Sequence, residues 1–236
     1  MKISFKREKK RTGVSAVIVA AGCSSRMGGA DKLAAPLGDS TVIARTLRAF
    51  QASEDVTEIV LVLRKGAEKP ALAGASGCDK LGRIVHGGDT RTESAYAGVM
   101  ACDPKAEIIL IHDGARPLVT GAVIRNAVDG ARKFGAAVPV TPVTDTIKVG
   151  KDGFADSTPD RSTLFAAQTP QAFRAELIKA ALQDAVDKKL SLTDDCAAVE
   201  KLGMRVKLVE GDARNRKITL PSDLAVAEIL LKELQE

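Results

Sequence analysis

The chain has 236 residues, 45% hydrophobic and 28% charged, the balance of a globular protein long enough for one α/β domain. Its net charge of +5 sits entirely in residues 1–13, where Lys2, Lys6, Arg7, Lys9, Lys10 and Arg11 oppose Glu8 alone, so residues 14–236 are formally neutral. Aromatics at 3% with no Trp exclude a base-stacking platform for nucleic acid, and no apolar run nears the ~18 residues of a membrane span. The basic segment 1–13 therefore reads as a solvated, disordered tail, and 14–236 as a single domain. No cleavable signal peptide is visible. Four scattered cysteines, Cys23, Cys78, Cys102 and Cys196, lack any C-x-x-C spacing. They read as reduced thiols rather than a metal site, and a cytoplasmic location is expected.

In chain order, "SAVIVA" (15–20) is the first buried strand, followed by the loop "AAGCSSRMGGADK" (20–32). The loop satisfies neither common phosphate-binding spelling: the Walker pattern fails at Met27 and at Leu33, and the dinucleotide pattern fails at Ser24. Its glycines Gly22, Gly28 and Gly29, with Arg26 and Lys32, suit a triphosphate cradle; a polar turn with solvated charges fits the spacing as well. A helix is predicted over 41–52, with Ile43, Leu47 and Phe50 recurring along one face. "EIVLVL" (58–63), "RIVH" (83–86), "EIILI" (107–111) and "AAVPV" (136–140) read as further buried strands. Apolar strands separated by helices imply a mostly parallel sheet covered on both faces, with ligands bound beyond the strands' carboxyl ends.

Two stretches between strand and helix lie at that same edge. "HGGDTRTESAYAGV" carries Gly87, Gly88, Asp89 and Ser94, and "LIHDGARP" carries Asp113, Gly114, Arg116 and Pro117. Taken singly, Asp89 and Asp113 read as caps or turn residues, and His86 and His112 as structural. The segment 142–163 breaks the alternation: "TIKV" and "FADS" flank Asp152-Gly153, a hairpin signal. Such a hairpin is marginal alone and is expected to pack on a partner. Thr169-Pro170 predicts a helix N-cap, with Phe173, Leu177, Ala181 and Ala185 as its stripe. Thr193-Asp194-Asp195 caps a short helix ending near Gly203, and a last helix carries Leu224, Ala227, Leu231 and Leu234. Arg214, Arg216 and Lys217 read in isolation as solvated charge.

The ordered set "AAGCSSRMGGADK", "GGDTRTES", "HDGARP", "TDTIK", "DRSTLFAAQTPQAF", "TDDCAAVE" and "EGDARNRKITLPSDL" resembles the 2-C-methyl-D-erythritol 4-phosphate cytidylyltransferases over residues 14–235. The resemblance implies a Rossmann-like α/β sheet with a protruding β-hairpin arm (142–163) that joins a homodimer. It implies CTP and methylerythritol phosphate as substrates in non-mevalonate isoprenoid synthesis, with Mg²⁺ held mainly through the CTP phosphates. No protein metal ligand, nucleic acid or membrane partner is implied. It assigns catalysis to Arg26, Lys32, Arg161 and Lys217. Ala20, Ala21, Gly88, Asp89 and Ser94 would enclose cytosine, and Gly22, Asp113 and Gly114 the ribose side. Thr146 and Arg161 would reach the alcohol phosphate from the partner's arm, joined by Arg116, Thr169, Thr193 and Lys217. Many relatives carry Pro before the loop lysine where this chain has Asp31, an acidic neighbour of Lys32. Two other readings compete: ribitol-5-phosphate cytidylyltransferase, a sister family, and a non-catalytic nucleotide-sensing module.

Overall fold

Val14–Ala20 (β1) is almost wholly buried, and its side chains alternate between two cores because successive residues of a strand point to opposite faces. The computed structural model describes residues 13–22, 31–68 and 76–234. β1 lies between two parallel neighbours, Glu58–Leu63 (β4) and Ile108–Asp113 (β6). Short ladders Pro36–Leu37 (β2) and Ser40–Thr41 (β3) pair with each other before the first helix. Leu81–His86 (β5) adds in parallel to β4. On the other side of β6 the order continues through Gln171–Arg174 (β11), Ala136–Pro142 (β7) and Phe165–Ala167 (β10), with Lys207–Glu210 (β12) also on β7.

Four of the pairings in this sheet are parallel, and the antiparallel ones all involve β10 or β11. The expected mostly parallel α/β sheet is therefore present, with one antiparallel strand inserted between β6 and β7. On one face, α1 (Val42–Ala52) and α3 (Gly121–Phe134) set Ile43, Leu47, Phe50, Ile124 and Val128 against Ala16, Ile18, Leu61 and Leu110. On the other, α2 (Arg91–Met100), α4 (Ala175–Asp187) and α5 (Cys196–Lys201) cover Val17, Val62, Ile109 and Ile111. Full burial of each Val, Leu, Ile or Phe side chain among them contributes about 1.5–3 kcal/mol. Gly98 lets α2 approach closely, because a Cβ there would collide with Val17 and Val62. A third cluster holds α6 (Pro221–Glu233) against Leu37, Val42 and Ile218.

Helix starts follow local chemistry. Thr41 caps α1 at Ala44 N, and Thr90 forms a reciprocal capping box with Glu93 at 3.1 and 2.9 Å. Gly135 (φ 92°) and Gly203 (φ 76°) adopt the left-handed region beyond the ends of α3 and α5.

Four local expectations need correction. "RIVH" is not buried: β5 is an edge strand with one partner, and Arg83 and Ile84 are exposed. "TIKV" is mostly non-strand, since the hairpin pairs only Val149–Lys151 (β8) with Phe154–Ser157 (β9). Thr169-Pro170 starts no helix, because residues 171–174 pair with β6 and β7, and α4 begins at Ala175. Phe173 accordingly packs from a strand, while Ile178, Ala181, Leu182 and Ala185 form the buried stripe of α4.

Candidate active site

β1 and β6 are adjacent, yet the chain leaves β1 toward β4 and leaves β6 toward β7. This divergence opens a crevice at their carboxyl ends, where open α/β sheets bind ligands. Val19 pairs in register with Asp113, and Gly114 N donates to Val19 O at 2.9 Å. A Cβ on Gly114 would sit 3.2 Å from Ala20 Cβ, Ile43 Cδ1 and Val19 O, so the turn stays tight against β1. A cavity of about 190 Å³ opens here, lined by Ala20, Gly22, Lys32, Arg91, Asp113, Gly114 and Lys217, among others.

Asp113 is its electrostatic centre. The carboxylate lies 3.0 Å from Lys217 Nζ, 3.4 Å from Arg116 Nε and 3.6 Å from Arg91 Nη2. Burial alone would raise its pKa, but Lys217, Arg91 and Arg116 overcome this and hold it well below the ordinary carboxylate range. Asp113 is thus a fixed anion around which three cations are arranged.

Arg91 is the residue that motif reading passed over. It opens α2, where a positive charge meets the positive end of the helix dipole. A cation in that position signals a partner outside the helix. Its guanidinium grips Asp195 with Nη1–Oδ1 at 2.9 Å and Nη2–Oδ2 at 2.8 Å. Burial opposes the Arg91 charge, but the Asp195 and Asp113 carboxylates outweigh it and raise the pKa. Asp195 is itself held by Gln171, whose Oε1 accepts from Asp195 N and Cys196 N at 2.9 and 3.0 Å. Gln171 Nε2 donates to Asp194 at 2.6 Å, and Asp194 caps α5 at Ala197 N.

Ala20, Gly22, Lys32, Asp113, Gly114 and Lys217 meet at the cavity, and Arg116 joins them through Asp113. Gly88 and Asp89 lie exposed on the loop before α2, and Thr193 lies exposed before α5. A Cβ on Gly87 would fall 2.5 Å from Ser94 Oγ and 2.6 Å from Ala21 Cβ, so the β5–α2 loop closes directly over Ala21. Ser94 is buried, its hydroxyl donating to Thr90 O at 2.9 Å. Thr169 is 4% exposed, with its hydroxyl engaged by Asp113 N and His112. Thr146 and Arg161 stand away on the exposed arm, where Arg161 donates to Thr144 O at 2.6 Å. Arg26 and the tail 1–12 lie outside the described residues. Asp31 is turned into its own loop, its carboxylate accepting Leu33 N at 3.0 Å.

Among the described residues no three His, Cys, Asp or Glu side chains cluster as metal ligands, and no helix is long and apolar enough to cross a membrane. The family model for 2-C-methyl-D-erythritol 4-phosphate cytidylyltransferase matches residues 14–233. A protein of that name from Desulforamulus reducens is 44% identical over 224 residues, covering 93% of this chain and 96% of that one. Another from Caldanaerobacter subterraneus is 43% identical over 227 residues, covering 93% and 99%. The crystal structure of 4-diphosphocytidyl-2C-methyl-D-erythritol synthase from Anaerococcus prevotii superposes with a TM-score of 0.84 at 32% identity, covering 94% of this chain and 99% of that one. The Thermus thermophilus cytidylyltransferase gives 0.79 at 34% identity, covering 93% and 99%. The chain belongs to the 2-C-methyl-D-erythritol 4-phosphate cytidylyltransferase family.

Proposed function

We propose that the protein joins CTP and 2-C-methyl-D-erythritol 4-phosphate, releasing pyrophosphate and forming the CDP-alcohol of non-mevalonate isoprenoid synthesis. The observation that supports this most is the cationic cavity at the β1–β6 crevice, built from Lys32, Lys217 and Arg91 around Asp113. A phosphate monoester has a second pKa of about 6, so the nucleophile is already largely dianionic at neutral pH. No general base is required. His112, fully buried and hydrogen-bonded on both sides, is accordingly not placed as one.

In the proposed step an oxygen of the alcohol phosphate forms a bond to the α-phosphorus of CTP. The bond from that phosphorus to the α–β bridging oxygen breaks, and its electron pair leaves with pyrophosphate. The obstacle is repulsion between two anions. Lys32 and Lys217, with Arg26 from the loop, offset it and keep the groups in line. Gly22 and Gly114 border the ribose side with Asp113, while Ala20, Ala21, Gly88, Asp89 and Ser94 frame the base. Arg116 and Thr193 face the alcohol phosphate. Mg²⁺, when bound, neutralises phosphate charge. Asp113, a carboxylate lining the cavity, is surrounded by cations, which fits an ion held mainly through CTP oxygens.

The arm completes the site in a homodimer. Residues 144–158 are exposed throughout, with Phe154 at 80%, Val149 at 44% and Ile147 at 39%. A solvated two-stranded ribbon with apolar side chains gains stability by lying on a second subunit, which would deliver Thr146 and Arg161 there. A cytoplasmic location is part of this proposal. Purified protein with CTP and Mg²⁺ should release pyrophosphate with methylerythritol phosphate and far less with ribitol 5-phosphate. Clear preference for ribitol 5-phosphate overturns the substrate assignment. CTP binding without turnover on either alcohol overturns the catalytic one.

A further inference from the structure

His112 lies in the middle of the sheet at 0% exposure, on β6, with its ring tilted against Phe50 at a centroid distance of 4.8 Å. Both ring nitrogens are engaged. Nε2 is 3.2 Å from Arg116 O, and Nδ1 is 3.0 Å from Thr169 Oγ1. The Arg116 contact and burial together set the protons. A carbonyl oxygen only accepts, so Nε2 carries the hydrogen. Burial pushes the imidazole pKa down to about 4, so at neutral pH the ring has one proton and Nδ1 is an acceptor. The Thr169 hydroxyl then donates to Nδ1, leaving its lone pair for Asp113 N at 3.1 Å.

The contacts close into a ring. Thr169 O accepts from Asn215 Nδ2 at 2.8 Å, Asn215 O accepts from Arg116 Nη1 at 2.8 Å, and Arg116 O returns to His112. Three segments distant in sequence are thereby tied together: the 113–116 turn, the 168–169 entry to β11, and the stretch carrying Lys217. Each brings a charged group of the cavity or its support. Asp113 follows His112 directly, Arg116 closes the same turn, and Lys217 stands two residues beyond Asn215.

We infer that neutral His112 is a positioning residue for cytidylyl transfer: it accepts a hydrogen bond from the Thr169 hydroxyl and thereby fixes the main chain that sets Asp113, Arg116 and Lys217. This rests on the function proposed above and assigns Thr169 a different part from the one its motif implies. With its single hydroxyl proton committed to His112, Thr169 acts through Asp113 rather than by donating to the alcohol phosphate. The arrangement also explains a fully buried histidine in an enzyme whose nucleophile needs no base.

The test combines nitrogen NMR with a double-mutant cycle on the full-length protein. At pH 7 the His112 imidazole should show one protonated nitrogen, Nε2, and an Nδ1 resonance that moves in Thr169→Val. A charged ring, an Nδ1–H tautomer, or an Nδ1 resonance indifferent to Thr169→Val overturns the inference, whether or not the protein turns over methylerythritol phosphate. Thr169→Val and His112→Phe each break the same bond and should each lower kcat by about tenfold or more. The double variant should be no worse than the weaker single, and Thr169→Ser should give back most of what Thr169→Val loses. If Thr169→Val instead raises KM for methylerythritol phosphate at unchanged kcat, and multiplies with His112→Phe, Thr169 touches substrate directly. Should His112→Phe fail to fold, the NMR comparison of wild type with Thr169→Val decides.

Discussion

Arg91 and Asp195 are 104 residues apart in sequence and meet in a two-pronged ion pair at 2.9 and 2.8 Å on the wall of the cavity. The Asp195 side chain is 1% exposed and that of Arg91 29%, so water does little to screen the pair. Removing one partner strands the other's charge, which typically costs about 3–5 kcal/mol. Asp195→Asn should lower the thermal midpoint by several degrees and reduce turnover, because Arg91 no longer holds its distance to Asp113. The Arg91→Gln, Asp195→Asn double variant should lose less stability than the two single losses together. Strict additivity in thermal unfolding would show that the pair is not coupled.

Lys32 and Lys217 both line the cavity, and in the proposed reaction they would face the phosphates. Lys32→Ala and Lys217→Ala should each reduce kcat by about 10²–10³, the usual effect of losing one donor to developing negative charge. CTP affinity, measured calorimetrically, should change less. Asp31→Pro should leave turnover the same or higher. The Asp31 carboxylate serves its own turn at Leu33 N, and Pro keeps the carbonyl that accepts Ala34 N at 3.1 Å. Near-normal turnover in Lys32→Ala is the result that removes this assignment.

The acid side of the stability curve follows from His112 and Asp113, both of which have depressed pKa values in the folded state. His112 is lowered from 6.5 to about 4, chiefly by burial. Its contribution is complete above pH 6.5 and is lost as pH falls toward 4, amounting to about 3 kcal/mol over that window. Asp113 acts in the same direction at lower pH, its contribution falling away below 3.8. Thermal midpoints measured from pH 7 to 4 should decline in wild type and decline less steeply in a folded His112→Phe variant. Equal slopes in the two proteins would mean that His112 binds a proton as readily folded as unfolded.

If the arm serves its neighbour, two dead variants complement each other. A hybrid of one Lys32→Ala subunit and one Arg161→Ala subunit has one site with both lesions and one with neither. Random exchange makes half the dimers hybrids, so mixing should restore about a quarter of wild-type activity. No recovery, with exchange confirmed by a labelled subunit, would place Arg161 in its own chain's site.

Local chemistry in the sequence determined much of this protein. Short, β-branched apolar runs such as "VSAVIVA" and "EIVLVL" suit strands buried on both faces, and they are β1 and β4. Thr90 and Glu93 specify the start of α2 through groups three residues apart, and the ordered glycine-rich and charged motifs carry the family. Relationships between segments far apart in the chain come instead from tertiary packing. Thr169-Pro170 has every local mark of a helix start, yet residues 171–174 gain more by filling the gap between β6 and β7, where their backbone groups find partners on both sides. "RIVH" is as apolar as many buried strands but comes last in the sheet order, so only one edge is paired. Arg91 looks like one more helix-surface cation until Gln171 brings Asp195 to it. Periodicity and capping are set within a few residues, whereas strand order and the pairing of buried charges are set by which distant surfaces close over one another.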